Sequence, residues 1–396
     1  MRRTLEHPLP PGMRDLLPEE AASRRDLARA VLDRVALHGF RLVTPPAFEL
    51  AAVLERGLKG DAAAPDDVIR FIEPETGEVA VLRPDMTPQI ARIVATRLQD
   101  RPPPFRLAYE GTVLRRRASR AKKHRQIPQV GVELCGVPGA EGDLELLVLA
   151  HDVLRNGVGL ERFVIDLSDA GIVRELLADV PAERAFDLSA ALARKDEPAL
   201  AELCRDLPGG ERIRELARLH GGREAILEAI VLLDGTRAEA PLRRLLALHD
   251  AAAARGLGPW LSVDPGEVRG FAYYTGTIFS IYAEGPGEAV GGGGRYDDLL
   301  ARYGAPLASV GLGLDLDALA WALRHERERA PSTSGVVVDG PHDDPRVGEL
   351  RAAGVPAVAV DGAAAAHAYA RAWAFAHVLE RDQQSTAVLG VLRGHP

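Results

Sequence analysis

The sequence predicts an α+β protein in which an antiparallel sheet is flanked by helices and interrupted by a helical insertion. Extended segments rich in strand-forming residues occur from about residue 79 to 135 and again after residue 269. Residues 169–255 lack strand signals and are dense in Leu, Ala, Glu and Arg. After a charged connection containing Pro and Ser, strand-like and helix-like segments alternate, which is typical of a small α/β domain. The expected parts are a core of residues 1–168 and 256–328, the insertion of residues 169–255, and a C-terminal domain of residues 329–396.

The first predicted element is a helix over residues 18–38. Its proline and two following glutamates suit a helix start, through the fixed φ angle and the helix dipole. Apolar residues recur along it at helical spacing: Leu27, Val31 and Val35. A strand over residues 40–44 follows and ends at a proline pair, which cannot continue a ladder.

Three further extended segments are predicted over residues 79–87, 107–115 and 126–136, and the last two are expected to pair antiparallel. In the third segment the two-residue period of a strand separates an apolar face from a polar one. The apolar face carries Val130, Val132 and Leu134, and the other face carries Gln129, Gly131 and Glu133.

Five polar residues on these segments could face one cleft: Asp85, Thr87, Arg115, Gln129 and Glu133. Acidic groups suit an ammonium or imidazole N–H, and an arginine suits a carboxylate or phosphate. The set therefore suits an amino acid. These residues alone also fit a solvated face of a sheet.

Two further features lie beyond the insertion. Tyr273 and Tyr274 must point to opposite faces if they lie in a strand, so one could line a pocket while the other packs; a half-buried aromatic pair fits equally well. The glycine run of residues 291–294 lacks the strand-to-helix context of a phosphate-binding loop, and a turn or bulge is expected there.

Charge and composition limit the classes of partner. Basic residues cluster around His124, between residues 115 and 125, and could bind polyphosphate or RNA or form a solvated loop. The formal net charge of -8 argues against nucleic acid as the main partner.

No apolar stretch suits a spanning helix or signal peptide, so a cytoplasmic protein without membrane contact is expected. Cys135 and Cys204 are too few for a disulfide framework or a four-cysteine zinc site, and no metal is expected.

Several motifs in one order resemble the catalytic core of class II aminoacyl-tRNA synthetases, specifically the histidyl enzyme, across residues 8–325. The resemblance implies a six-stranded or larger antiparallel sheet and a dimer formed through the first helix and strand. Charges at Val31 and Val35 would test that dimer face unless both residues serve the internal core. The motifs are PPGMRDLLP, LRPDMT, LAYEGTVLRRR, RQIPQVGVELCG, VRGFAYYTGTIF, GGGGRYD and SVGLGLDLDAL.

The resemblance also implies a histidine pocket. Asp85 stands where the synthetases usually have glutamate, and Tyr296 and Gly311 are weaker candidates for the same wall. The implied histidine-binding residues are Asp85, Thr87, Arg115, Gln129, Glu133, Arg269, Tyr273 and Tyr274.

The ATP site departs from the family pattern at three positions. The resemblance requires a glutamate, an aromatic ring and an arginine where this chain has Arg117, Ile127 and Ala318. Histidine activation is therefore expected to fail, since charges that contact phosphate supply much of the transition-state stabilisation. The segment from residue 331 to 396 is also shorter than a synthetase anticodon-binding domain.

A retained histidine pocket, a lost ATP site and a short tail together resemble the regulatory subunits of ATP phosphoribosyltransferase. This resemblance implies a non-catalytic chain, without catalytic residues or cofactors, that forms a homodimer within a hetero-oligomer. Its partner would be a short-form catalytic subunit that carries out the first step of histidine biosynthesis. This chain would support the activity of that subunit and mediate its inhibition by histidine. Transfer RNA is an unlikely partner in this interpretation. Two alternatives remain: a histidine-tRNA ligase with an atypical ATP site, and a non-catalytic tRNA-binding sensor.

Overall fold

The computed structural model describes residues 9–57, 68–116, 124–268, 273–327, 335–373, 375–386 and 388–389. These residues form two compact units, one within residues 1–326 and the other within residues 327–396. Two of the candidate residues, Arg117 and Arg269, and most of the basic run lie outside the described residues.

The first unit is built on an eight-stranded sheet with the order β1-β5-β6-β11-β10-β9-β7-β8. Neighbouring strands are antiparallel except for the edge pairs β1–β5 and β7–β8, which are parallel. A second sheet has three strands in the order β2-β4-β3. The strands are β1 (Arg41–Leu42), β2 (Phe48–Leu50), β3 (Ile69–Ile72), β4 (Val79–Leu82), β5 (Phe105–Leu114), β6 (Gln126–Cys135), β7 (Phe163–Asp169), β8 (Leu261–Val263), β9 (Thr277–Ala283), β10 (Gly291–Arg295) and β11 (Ser309–Asp315).

Helices cover the large sheet and fill the insertion. A π-helical turn, Val153–Gly157, continues α4, and 3-10 turns lie at Gly258–Trp260 and Leu300–Tyr303. No helix among the described residues is both long and apolar enough to cross a membrane. The helices are α1 (Pro18–Leu37), α2 (Ala51–Gly57), α3 (Thr87–Arg97), α4 (Ala140–Asp152), α5 (Ala170–Leu176), α6 (Ala182–Ala193), α7 (Glu197–Leu203), α8 (Gly210–Arg218), α9 (Arg223–Leu232), α10 (Glu239–Ala254) and α11 (Leu316–Arg327).

The main hydrophobic core lies on one face of the large sheet. As the two-residue period predicted, Val130, Val132 and Leu134 of β6 all belong to it. Val31 and Val35 of α1 are each 2% exposed and belong to the same core. The stated exception to the dimer test therefore applies: these two valines serve the internal core, and charges there would disrupt folding rather than report on an interface.

The opposite face of the sheet packs on a smaller core that includes Met86, Val113, Ile127 and Tyr296. Here the sequence prediction missed a helix. The strand expected over residues 79–87 ends at Leu82, and Thr87 begins α3, which has proline in its first turn and a buried apolar face. Proline suits a first helical turn because its missing N–H has no partner there anyway.

The insertion has its own small core around Leu188, Leu192 and Leu200, while α10 packs its apolar side on the main core. An ion pair joins the insertion to the strand segment that follows it: Nζ of Lys195 lies 2.8 Å from the carboxylate of Asp264. The insertion is thus fixed to the chain just before the segment that carries Tyr273 and Tyr274.

The second unit alternates strands and helices, as the pattern predicted. Its three-stranded sheet is parallel, with the order β13-β12-β14. The elements are β12 (Val336–Asp339), α12 (Pro345–Ala352), β13 (Ala357–Val360), α13 (Ala363–Ala372) and β14 (His377–Leu379).

Candidate functional site

A cavity of about 260 Å³ opens on the face of the large sheet opposite the main core. Its walls come from β5, β6, β10 and β11, from the start of α3 and from the segment before β9. The structure brings together every described residue that the sequence assigned to a histidine pocket. These are Asp85, Thr87, Arg115, Gln129, Glu133, Tyr273, Tyr274, Tyr296 and Gly311.

Glu133 lies at the centre of the cavity wall, on β6, and is 1% exposed. The hydroxyl of Thr87 donates a hydrogen bond of 2.6 Å to its Oε1, and the hydroxyl of Tyr296 donates to its Oε2. Burial raises the pKa of Glu133 to about 8, against the pull of these two hydroxyls. A carboxyl so placed holds a proton at neutral pH unless a cation joins it.

Asp85 is the second buried carboxyl, 8% exposed, in the turn before α3. The hydroxyl of Tyr273 donates to its Oδ2 at 2.9 Å, and the backbone N–H of Met86 donates to its Oδ1 at 2.7 Å. Burial raises the pKa of Asp85, while the hydrogen bond from Tyr273 and the charge of Arg115 work in the opposite direction. Asp85 therefore has a cationic neighbour, whereas none of the described groups that shift the pKa of Glu133 is cationic.

Three tyrosine rings form the aromatic wall. The ring centroids of Tyr273 and Tyr274 are 4.9 Å apart, and Tyr273 meets Tyr296 edge to face at 5.7 Å. Both neighbouring tyrosines line the cavity. The expectation that they point to opposite faces is wrong, because β9 begins only at Thr277 and the tyrosines precede it in irregular backbone.

The glycine run forms a strand rather than the expected turn or bulge. Gly291–Arg295 is β10, hydrogen-bonded on one side to β9 and on the other to β11. A methyl group at Gly293 would collide with the backbone oxygen of Gly311 on the neighbouring strand. The glycines therefore allow neighbouring strands to approach closely under the cavity.

Tyr109 also lines the cavity and was missed in the sequence. It lies on β5 directly opposite Gly131, between the positions that face Gln129 and Glu133. The missing side chain of Gly131 leaves room for the tyrosine ring, since a methyl group there would collide with the Tyr109 hydroxyl. The signal was present in the pattern, because cross-strand neighbours share a face once the register is known.

A buried ionic network supports the aromatic wall from behind. Nε of Arg295 donates to Oδ1 of Asp143 at 2.8 Å, and Nη1 donates to Oδ1 of Asp297 at 2.9 Å. The hydroxyl of Thr277 donates to Asp143 at 2.9 Å. The backbone N–H of Asp297 donates to the hydroxyl of Thr275 at 2.9 Å. Tyr296 and the start of β9 are thereby fixed relative to each other.

A second cavity of about 380 Å³ shares His124, Ile127, Glu288 and Asp315 with the first. Ala318 and the half-exposed Trp321 also line it. It therefore contains two of the three positions where the resemblance implied a lost ATP site. In this cavity Arg14 is paired with Asp317 at 2.5 Å. No described cluster of three or more His, Cys, Asp or Glu side chains could hold a metal ion.

The first cavity combines two buried carboxyls, the guanidinium of Arg115, the half-buried side-chain amide of Gln129 on β6, and aromatic rings. Carboxyls accept hydrogen bonds from cationic or N–H groups, Arg115 suits an anionic group, and the rings contact a planar or apolar body. This arrangement can bind a small molecule that carries both charges and a ring.

Comparison with known proteins gives consistent results. The family model for histidyl-tRNA synthetase matches residues 12–319. A protein of Moorella thermoacetica named ATP phosphoribosyltransferase regulatory subunit is 39% identical over 371 residues, covering 91% of this chain and 94% of the relative. A protein of the same name from an Anaeromyxobacter species is 41% identical over 335 residues, covering 82% and 96% respectively.

Solved structures show the same fold. A Bacillus halodurans C structure, described as an ATP phosphoribosyltransferase regulatory subunit/histidyl-tRNA synthetase, has a TM-score of 0.79 and 28% identity, covering 96% of this chain and 99% of the other. The histidyl-tRNA synthetase of a Nostoc species has a TM-score of 0.74 at 19% identity, covering 93% and 90%. The class II synthetase-like α+β fold expected from the sequence is thereby confirmed.

Proposed function

The chain belongs to the family of ATP phosphoribosyltransferase regulatory subunits, which have the histidyl-tRNA synthetase fold, and from this premise we propose that it binds histidine in the cavity beside Glu133. The bound histidine would regulate a separate catalytic subunit of short form, in which the transfer reaction takes place. The protein would act in the cytoplasm, in the first step of histidine biosynthesis.

The observation that supports this proposal best is that two buried carboxyls and one arginine line the same cavity. Asp85 and Glu133 offer acceptors for two separate N–H groups, and Arg115 offers donors for a carboxylate. Histidine carries these three groups: an ammonium, an imidazole N–H and a carboxylate. The aromatic wall of Tyr273, Tyr274 and Tyr296 would contact the imidazole ring.

Regulation makes a further demand on the site. Histidine can shift the activity of the complex only if it binds two states of the complex with unequal affinity. In the proposed assembly, two copies of this chain form a homodimer and join the catalytic subunit in a hetero-oligomer. Feedback inhibition would follow if the state with closed histidine pockets holds the catalytic subunit in its less active form.

The second cavity supports a non-catalytic role. Ile127 offers an aliphatic surface and Ala318 only a methyl group where an adenine site of this family needs a ring and a cation. Removal of a group that contacts the reacting phosphate commonly costs several kcal/mol of transition-state stabilisation, roughly 3 kcal/mol for a single donor. We therefore propose that this chain does not form histidyl-adenylate.

The experiment that tests the proposal is isothermal titration calorimetry of the purified chain with L-histidine and then with ATP. Histidine binding without ATP binding is expected. Glu133→Ala should weaken histidine binding, whereas Glu110→Ala, an exposed change on the adjacent strand β5, should leave it unchanged. Absence of histidine binding in the wild-type chain, or equal affinity in both variants, would overturn the assignment of this pocket.

The ligase alternative makes a different prediction. A working histidine-tRNA ligase must catalyse histidine-dependent exchange between ATP and pyrophosphate, and a tRNA-binding sensor must bind tRNA with the steep salt dependence of phosphate contacts. We expect neither result from this chain. Measurable exchange would establish the ligase, and salt-sensitive tRNA retention on a filter would establish the sensor.

A further inference from the structure

The electrostatic surroundings of Glu133 differ from those of an ordinary ligand-binding carboxylate. Both of its hydrogen-bond donors, Thr87 and Tyr296, are neutral hydroxyls. No described arginine, lysine or histidine forms an ion pair with it, and the nearest charged neighbour that affects it is a second acid, Asp85. Among the described residues, Glu133 therefore lies away from water without an ion-paired counter-charge.

Burial and the neighbouring acid Asp85 favour the neutral form of Glu133. On its own strand lies Cys135, on β5 lies Tyr109, and beyond β10 lies Tyr296, none of which carries a positive charge. Arg115 lines the cavity, but its charge acts on Asp85. The remaining titratable residues of the cavity wall are Tyr273, Tyr274, His124, Glu288 and Asp315.

The geometry nevertheless prepares Glu133 for ionisation. Each carboxyl oxygen already accepts one hydroxyl hydrogen bond, which favours the charged form as soon as a positive group compensates the burial. With the pKa of Glu133 raised to about 8, most free molecules carry the proton at neutral pH. A ligand that brings an ammonium and an N–H donor supplies a positive charge that no described residue pairs with Glu133.

We propose that histidine binds to this pocket in exchange for one proton, which leaves the Glu133 carboxyl and passes to solvent. This inference rests on the proposed function. The O–H bond of the carboxyl breaks, its electron pair stays on the carboxylate, and the proton is taken up by buffer. The histidine enters as its neutral-pH form, with a charged ammonium and a neutral imidazole, and the carboxylate then accepts its hydrogen bond.

The exchange makes histidine affinity depend on pH. Between about pH 6.5, above which the imidazole of the ligand is neutral, and the pKa of the free carboxyl, each unit by which the pH falls should lower the affinity about tenfold. One proton must be displaced from Glu133 per ligand in this range. Above about pH 8 the dependence should level off, since Glu133 is then already ionised. A histidine sensor of this kind would respond most weakly when the surrounding solution becomes acidic.

Calorimetry in buffers of different ionisation enthalpy measures the exchange directly. At pH 7, titration of the full chain with L-histidine in phosphate and in Tris should show release of about nine-tenths of a proton per histidine. At pH 9 the release from Glu133 should fall close to zero, once the proton uptake by the ammonium of the ligand is subtracted. Histidine binding with no proton release at pH 7 would overturn the exchange and leave the proposed function intact, whereas no histidine binding would overturn both.

Two variants test whether the released proton comes from Glu133. Glu133→Gln should abolish proton release in any residual binding, while Glu110→Gln on the adjacent strand should retain it. Where Glu133→Gln binds too weakly for calorimetry, difference infrared spectroscopy of the free protein supplies a second readout. A protonated-carboxyl band present in the wild type at pH 7, lost in Glu133→Gln and lost on adding histidine supports the exchange. A band that persists after saturation with histidine would contradict it.

Discussion

The hydroxyl of Tyr296 reaches the carboxylate of Glu133 across Gly311, the residue that stands opposite Glu133 on the intervening strand β11. A methyl group at Gly311 would collide with Oε2 of Glu133 and lie 3.0 Å from the Tyr296 hydroxyl. Glycine is required here for space, since the contact involves a hydrogen bond between two strands that are not neighbours. The hydrogen bond between Tyr296 and Glu133 in the cavity wall thus depends on the absence of a side chain at Gly311.

Gly311→Ala should therefore damage the proposed histidine pocket. The added methyl must displace either Glu133 or Tyr296, and we expect histidine affinity to fall about tenfold or more, which corresponds to about 1.4 kcal/mol. Gly313→Ala is the matched control on the same strand, because a methyl group there meets only the Tyr109 hydroxyl at an ordinary 3.4 Å. Calorimetry on both variants measures the difference, and equal affinities would contradict the steric argument.

The ion pair of Arg295 and Asp143 should contribute strongly to stability. Its side chains are 6% and 7% exposed, and removal of Asp143 leaves the buried Arg295 with the more exposed Asp297 as its described acidic partner. Asp143→Ala should lower the free energy of unfolding by about 3–5 kcal/mol in urea titrations. The surface pair of Arg237 and Asp179 provides the control, and Asp179→Ala should cause no measurable change. Similar losses of unfolding free energy in Asp143→Ala and Asp179→Ala would show that burial of an ion pair does not determine its contribution to stability.

Much of this site could be predicted because strand periodicity and motif order carry the information. The alternation of residues along β6 placed Gln129 and Glu133 on one face, and the structure has them in one cavity. The sequence could not show that Thr87 begins a helix, since the proline that starts α3 also follows strand-like residues. The family resemblance placed both Tyr273 and Tyr274 in the pocket, whereas strand periodicity could not, because it assumes a strand and β9 begins only at Thr277.

The sheet itself was predicted in part. The antiparallel pairing of β5 and β6 is confirmed, and β1 occurs where a strand was expected, although it is only two residues long. The position of Tyr109 followed from the register of that pairing rather than from its own neighbours in sequence. Local patterns specify faces, whereas contacts between distant segments require the assembled sheet.

The stability of the free protein should fall as pH rises through the range in which Glu133 loses its proton. Its pKa is raised from the usual 4.5 to about 8 by burial, so the folded chain binds more protons than the unfolded chain between these values. Stability therefore decreases with increasing pH across that window and changes no further above it. Urea titrations at pH 5.5 and 8.5 measure this trend. Glu133→Gln should reduce the slope, and an unchanged slope in that variant would contradict the assignment.

The exposed edge of the large sheet supports the homodimer in the proposed assembly. Among the described residues β1 pairs only with β5, so its other side presents unpaired backbone groups. Leu42 of β1 is 57% exposed, and Leu37, at the end of α1, is 75% exposed. An unpaired edge beside apolar side chains favours association with another chain, and a second copy fits the proposed dimer.

Leu42→Glu should therefore shift the purified chain from dimer to monomer in light scattering, because a carboxylate would have to be buried at the interface without a partner. Val231→Glu is the matched control, since Val231 is also a highly exposed apolar residue but lies on α9 of the insertion. The control should keep the dimer mass. A dimer that withstands Leu42→Glu and dissociates with Val231→Glu would move the interface from the sheet edge to the insertion. A monomeric wild-type chain would contradict the proposed homodimer.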